Sequence, residues 1–211
     1  LQAEGKNTLA DVVLTVDIAR LHTYADKKLL ANIDSPILEA NVPAHLRSKD
    51  NTWFALSKRN RVIAVGRDRI GSGTVERYED LASSGLKGRI CSRPGSHVYN
   101  RALLASMIEA LGSAGAEEWA RGLVNNLARR PQGNDRAQLK AIFQGECDVA
   151  IINHYYYAKL MHSDVGEHRR WVENSMLIFP NQAAGDRGVH VNISGGGIVK
   201  YSKRKELGIR L

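Results

Sequence analysis

Apolar positions along the chain follow two alternating rhythms. Asp11-Val12-Val13-Leu14-Thr15-Val16 is a compact β-branched run, followed by a stretch of helical character from Ile18 to Leu30. Arg61 to Val65 is a second such run, Arg77 to Ser83 reads as a short helix, and Gly88 to Ser92 as a strand. Arg93-Pro94-Gly95-Ser96 then leads into a strong helix. Leu103, Leu104, Met107, Ile108 and Leu111 lie on one stripe of it, and Gly112 suits its C-terminal cap. A further helix carries Trp119 and Leu123, and Asn134 or Asp135 caps another through Leu139, Ile142 and Phe143 that Gly145 ends. Cys147 to Ile152 is nearly all apolar, as a strand buried on both faces should be. Strands alternating with helices predict an α/β chain with mostly parallel sheets. Shifts of composition near Arg61 and between Pro180 and Gly188 mark two chain crossings between lobes. They put residues 1–62 and 186–211 in lobe one and residues 63–185 in lobe two.

Composition narrows the class. With 211 residues, 43% hydrophobic and 25% charged, the chain can bury a real core, which excludes disordered, collagenous and disulfide-knot classes. No apolar run approaches the roughly 18 residues that cross a bilayer, and residues 1–20 lack a signal-peptide pattern. The chain begins at Leu1 and stops within a helix-like stretch, Lys205 to Leu211, as a fragment or a processed chain would. A net charge of +8 suggests an anionic partner. The cations are dispersed in short clusters such as Lys58-Arg59-Asn60-Arg61 and Arg169-Arg170, which reads as solvated faces rather than a nucleic-acid surface. Cys91 and Cys147 show no zinc-binding spacing and are either buried thiols or a single bridge in an oxidising compartment.

Ligands of open α/β sheets gather beyond the carboxyl ends of strands, and two such ends lead to tyrosine. One reads Ser92-Arg93-Pro94-Gly95-Ser96-His97-Val98-Tyr99, with Tyr99 in or near the first turn of a helix whose free N–H groups and Ser96 hydroxyl form an anion seat. The other reads Asn153-His154-Tyr155-Tyr156-Tyr157. Phenolate is a hard oxygen donor that suits a highly charged cation, ferric iron above all, rather than zinc or copper. Ionising a phenol of pKa about 10 at pH 7 costs about 4 kcal/mol, so clustering several makes sense only beside a strongly polarising metal and nearby cations such as Arg59 or Arg61. The plainer alternative is packing or interface aromatics with wetted hydroxyls. Helical neighbours diverge by about 100°, so Tyr157 cannot share a metal with both preceding tyrosines and is assigned to packing.

Taken in order, Ile90-Cys91-Ser92-Arg93, His97-Val98-Tyr99-Asn100, Arg130 to Asp135, Gly145 to Ala150, Asn153-His154-Tyr155-Tyr156 and His190 to Gly195 resemble the periplasmic ferric-ion-binding proteins of ABC importers. The resemblance runs through nearly the whole chain. It implies a two-lobed periplasmic binding protein of type II that closes on Fe3+ with tyrosinate ligands, here Tyr99, Tyr155 and Tyr156. It implies a synergistic anion, commonly carbonate, seated at Gly95, Ser96 and His97 with Arg59 and Arg61 nearby. Delivery to an inner-membrane ABC permease, a monomeric state and the absence of catalysis and of nucleic-acid partners follow from the same resemblance. Family members begin with a strand and loop that often supply a first-lobe ligand, and end in helices; neither stretch is present, so lobe one is expected to be incomplete.

Other features point less far. His154 is a ligand, a donor to a ligand, or a structural histidine. Gly71-Ser72-Gly73-Thr74 and Gly195-Gly196-Gly197 lack the spacing of phosphate or dinucleotide loops and read as turns. Two other readings stay open: a binder of a small anion such as phosphate at Ser96, and a basic nucleic-acid module with stacking tyrosines.

Overall fold

In the computed structural model, which describes residues 1–211, the elements run in the order β1 (Val12–Val16), α1 (Ile18–Asp26), α2 (Pro36–Asn41), β2 (Phe54–Gly66) and β3 (Ile90–Cys91). Next come α3 (Val98–Asn125), α4 (Asp135–Phe143), β4 (Val149–Asn153), α5 (His154–Met161) and α6 (Gly166–Glu173). β5 (Ser175–Ile178), β6 (Val191–Ile198) and α7 (Lys205–Arg210) complete the chain. Residues divide into two units, Leu1–Lys58 with Asn192–Leu211, and Arg59–Val191. The boundaries drawn from composition, near 62 and 186, both fall inside the second unit. No helix is long and apolar enough to cross a membrane.

In the first unit β1 pairs antiparallel with β6, Val13 opposite Gly197 and Thr15 opposite Gly195. Leu21, Leu30, Trp53 and Ile193 form one core cluster there, and Ile33, Phe54 and Ile198 another. Gly195-Gly196-Gly197, expected in a turn, lies inside β6. A Cβ on Gly195 would strike the Phe54 carbonyl, and one on Gly197 the Thr52 carbonyl, so glycine is what allows the backbones to approach.

The second unit is a sheet with helices on both faces. The latter part of β2 pairs antiparallel with β4 on one side and with β5 on the other, while β3 lies parallel to β4. The sheet is therefore mixed rather than mostly parallel. A parallel pair needs a long crossover between its strands. β3 and β4, the parallel pair, are joined by such a crossover through α3 and α4. Alternation of side chains sorts the apolar strands between two cores. Ile63, Val65, Ile90, Val149 and Ile151 pack with Leu103, Met107 and Trp119 of α3. Val62, Ala64, Cys91, Ala150 and Ile152 face Leu139, Ile142, Tyr157 and Trp171 of α4, α5 and α6. Gly112, at φ 71°, breaks α3 into two helical arms where a helix end was expected. Cys91 and Cys147 form a disulfide with Cα atoms 5.8 Å apart, which settles their state as a bridge. The Arg77 to Ser83 helix is realised as a 3-10 turn over Glu79–Ala82.

Candidate metal centre

Because β3 and β4 are parallel neighbours, the segments that leave them emerge at the same edge of the sheet. The chain leaving β3 turns through Ser92 to His97 into α3, which carries Tyr99 in its first turn. The chain leaving β4 enters α5 directly, with Asn153 at the N-cap and Tyr155 and Tyr156 in the first turn. Residues far apart in sequence thus meet: the Tyr99 and Tyr155 hydroxyls are 3.3 Å apart. The Tyr155 and Tyr156 rings lie 4.4 Å apart between centroids. Tyr157 faces the core instead, its hydroxyl donating to the Val172 and Ser175 carbonyls at 3.1 and 3.0 Å.

Cations surround these phenols. The guanidinium carbons of Arg59, Arg61 and Arg93 stand 5.0, 5.8 and 5.0 Å from the centre of the Tyr99 ring. Arg136 lies 5.7 Å from the Tyr156 ring and Lys159 5.9 Å from that of Tyr155. Burial pushes the Tyr155 hydroxyl above the usual phenol range, and hydrogen bonding with Tyr156 and Tyr99 pushes it the same way. A phenol so placed stays protonated unless a stronger positive charge displaces its proton. No group of three or more His, Cys, Asp or Glu side chains is arranged to hold a metal.

Behind the phenols lies a buried ionic network. Arg61 donates to Asp135 at 2.7 Å, to the Asn153 side chain at 3.2 Å and to that of Asn100 at 2.8 Å. Arg93 donates to the other oxygen of Asp135 at 3.0 Å. The backbone N–H of Asn153 donates to Asp135 at 2.8 Å, and the Asn153 amide lies 3.5 Å from the Tyr155 hydroxyl. Asp135 is wholly excluded from solvent. Arg61 is held below the usual guanidinium range by burial, against which Asp135 pulls upward and Arg93 downward.

The residues expected at an anion seat are placed as follows. His97 is the N-cap of α3, its ring nitrogen accepting from the Tyr99 N–H at 3.2 Å, while Gly95 and Ser96 are exposed on the preceding turn. Arg59 and Arg61 are both buried against Tyr99. Arg61 carries most of its hydrogen bonds inward, to the network. His154 does not face the phenols through its Nδ1, which accepts from the Asn60 N–H at 3.1 Å. Sequence reasoning missed Arg93, Asp135, Asn100 and Asn153. Asn153 could have been found, since it is the last strand residue before the tyrosine pair.

Residues 7–184 match a family model described as bacterial extracellular solute-binding protein, a family of binding proteins rather than enzymes. Among curated relatives, the iron uptake protein A1 of Synechocystis is 42% identical over 206 residues, covering 98% of this chain and 57% of that protein. The major ferric iron-binding protein of Neisseria meningitidis serogroup B is 27% identical over 208 residues, 98% of this chain and 60% of the relative. Among solved structures, apo FutA2 from Synechocystis matches with a TM-score of 0.94 at 40% identity. A Trichodesmium FutA in complex with iron and citrate matches with a TM-score of 0.93 at 44% identity. Each covers 99% of this chain and 66% of the solved one. The chain thus spans about three-fifths of the length of the curated relatives it matches. Its α/β fold is that of the two-lobed iron-binding proteins expected from the sequence.

Proposed function

The chain belongs to the bacterial extracellular solute-binding protein family, and from that premise we propose that it captures ferric iron as cargo through the phenolate oxygens of Tyr99, Tyr155 and Tyr156. What supports this reading most is the convergence of three phenols from two strand ends, with the Tyr99 and Tyr155 hydroxyls 3.3 Å apart. Three phenolates neutralise a trivalent ion, and each releases one proton as the metal enters. The surrounding arginines favour the phenolate form, and burial strengthens every oxygen–metal attraction by excluding water. Hard oxygens of this kind select Fe3+ over softer divalent ions. Relatives named for iron uptake and ferric iron binding, and a neighbour solved with iron and citrate, point to the same cargo.

The remaining parts of the proposal are the partners. A synergistic anion, carbonate by preference, completes the shell at the start of α3, at Gly95, Ser96 and His97, with Arg59 against the Tyr99 ring and Arg61 adding its field from behind. The protein works in the periplasm, where the Cys91–Cys147 disulfide is stable, and delivers its ion to an inner-membrane ABC permease as a monomer.

Titration with ferric citrate tests the reading. A visible phenolate-to-iron charge-transfer band is expected, weakened in Tyr155→Phe and in Tyr156→Phe and unchanged in Tyr157→Phe. Absence of colour, with stabilisation by phosphate instead, would show that the tyrosines only line an anion site.

A further inference from the structure

We infer that Asp135 is the positioning residue of this site, a single buried carboxylate that fixes both tyrosine-bearing segments and offsets the arginines packed against them; the inference rests on the ferric reading above. Asp135 occupies the first turn of α4, where Asn134 already supplies the cap by accepting from the Arg136 and Ala137 N–H groups, both at 3.1 Å. The aspartate is therefore free of capping duty and turns inward. Its two oxygens receive three donors: Arg93 on one, and Arg61 and the Asn153 N–H on the other.

Each donor leads to a phenol. Arg93 lies against the Tyr99 ring. Arg61 lies against the same ring and donates to Asn100, the residue that follows Tyr99. Asn153 ends β4, begins α5 and reaches the Tyr155 hydroxyl with its amide. The position of Tyr99 relative to Tyr155 is thus referred to one carboxylate. Charge points the same way as geometry. Two guanidinium groups packed behind a trivalent ion repel it, and Asp135 is the anion that both of them contact. No spare acceptor takes over, because the Nε atoms of Arg61 and Arg93 are already buried without partners.

The test uses the whole chain, loaded with ferric citrate and challenged with a competing chelator. Asp135→Asn keeps the shape and removes the charge, and its apparent iron affinity is expected to fall about 10- to 100-fold, the range found when groups that orient metal ligands are removed. Asp135→Ala opens room for a small acid. Added acetate is expected to restore iron retention in that variant, and acetamide, of the same shape without charge, is not. Where the alanine variant does not fold, Asp135→Asn combined with Arg93→Gln carries the test, since removing one cation with the anion should recover much of the loss. Parent-like iron retention in folded Asp135→Asn overturns the inference, as does equal rescue by acetate and acetamide, or a double variant no better than the single. A parent protein that shows no charge-transfer band overturns the ferric reading itself and this inference with it, so the two failures are told apart by the parent alone.

Discussion

Two constellations in the second unit are built from similar parts, arginines around acids with an asparagine beside them. Behind the three phenols Asp135 pairs with Arg61 at 2.7 Å and Arg93 at 3.0 Å, next to Asn153. Nearer the surface Glu79 pairs with Arg187 at 2.5 Å and Arg77 at 3.5 Å, next to Asn181, and a second acid, Asp186, holds Arg77 at 2.8 Å. Water separates them. Asp135 is 0% exposed and Arg61 2%, whereas Glu79 is 25% exposed and Arg77 46%. In the dry setting each ion loses its hydration, and only its partners offset that cost, so removing one partner strands the others. In the wet setting solvent takes the place of a lost partner, and the pair adds little. Similar ion pairs thus make a rigid frame in one place and a surface latch in the other.

The largest expected consequence is on stability. Asp135→Asn should lower the unfolding free energy by about 3–5 kcal/mol in urea titrations, because two buried arginines lose their counter-charge. Glu79→Gln should cost at most about 1 kcal/mol. Equal costs for the two variants would break the comparison.

A second difference is in acid sensitivity. His190 belongs to the buried neighbourhood: its carbonyl accepts from the Arg61 N–H at 3.0 Å, and its Nε2 is buried without a partner. Burial, then the charges of Arg61 and Arg59, lower its pKa from 6.5 to about 4. The unfolded chain therefore takes up a proton between pH 6.5 and 4 that the folded chain refuses, so stability falls as pH drops through that window and is level above it. Urea titrations at several pH values should show this fall, and His190→Gln should flatten it. A slope that survives the substitution would assign the acid sensitivity elsewhere.

How far each of these features could be read beforehand depends on whether its cause is local. The nearly all-apolar run ending at Ile152 identified a strand covered on both faces, and a strand's carboxyl end located the tyrosine pair, because burial and periodicity write themselves into neighbouring residues. Tyr157 was assigned to packing by helix geometry alone and is indeed buried. Asn134 and Asp135 could not be told apart, since either suits a helix start, and the partners that draw Asp135 inward lie 42 and 74 positions away. Arg93 sits in a Pro- and Gly-containing turn that looks solvated until α3 and α4 enclose it. Strand direction left no mark either: β2 is as apolar as a parallel strand would be, and only the paths between strands make the sheet mixed. The glycines of β6 serve a close approach to residues near Thr52 and Phe54, which no local pattern announces.

The smallest expected effect belongs to the surface latch. Burial alone would raise the Glu79 pKa, but hydrogen bonds from Arg187 and Asn181 outweigh it and hold the carboxyl at about 2, below its ordinary 4.5. Here the folded chain is the stronger acid, so the stabilisation is complete above pH 4.5 and is lost as pH falls toward 2. The contribution is small because salt and water screen it, and added salt should reduce it further. Denaturant titrations should therefore show that Glu79→Gln lowers stability by a small, constant amount above pH 4.5 and makes the fall below pH 4.5 shallower. If Glu79→Gln instead changes the slope of stability with pH between 4.5 and 6.5, the latch communicates with the buried frame and the two constellations are one network.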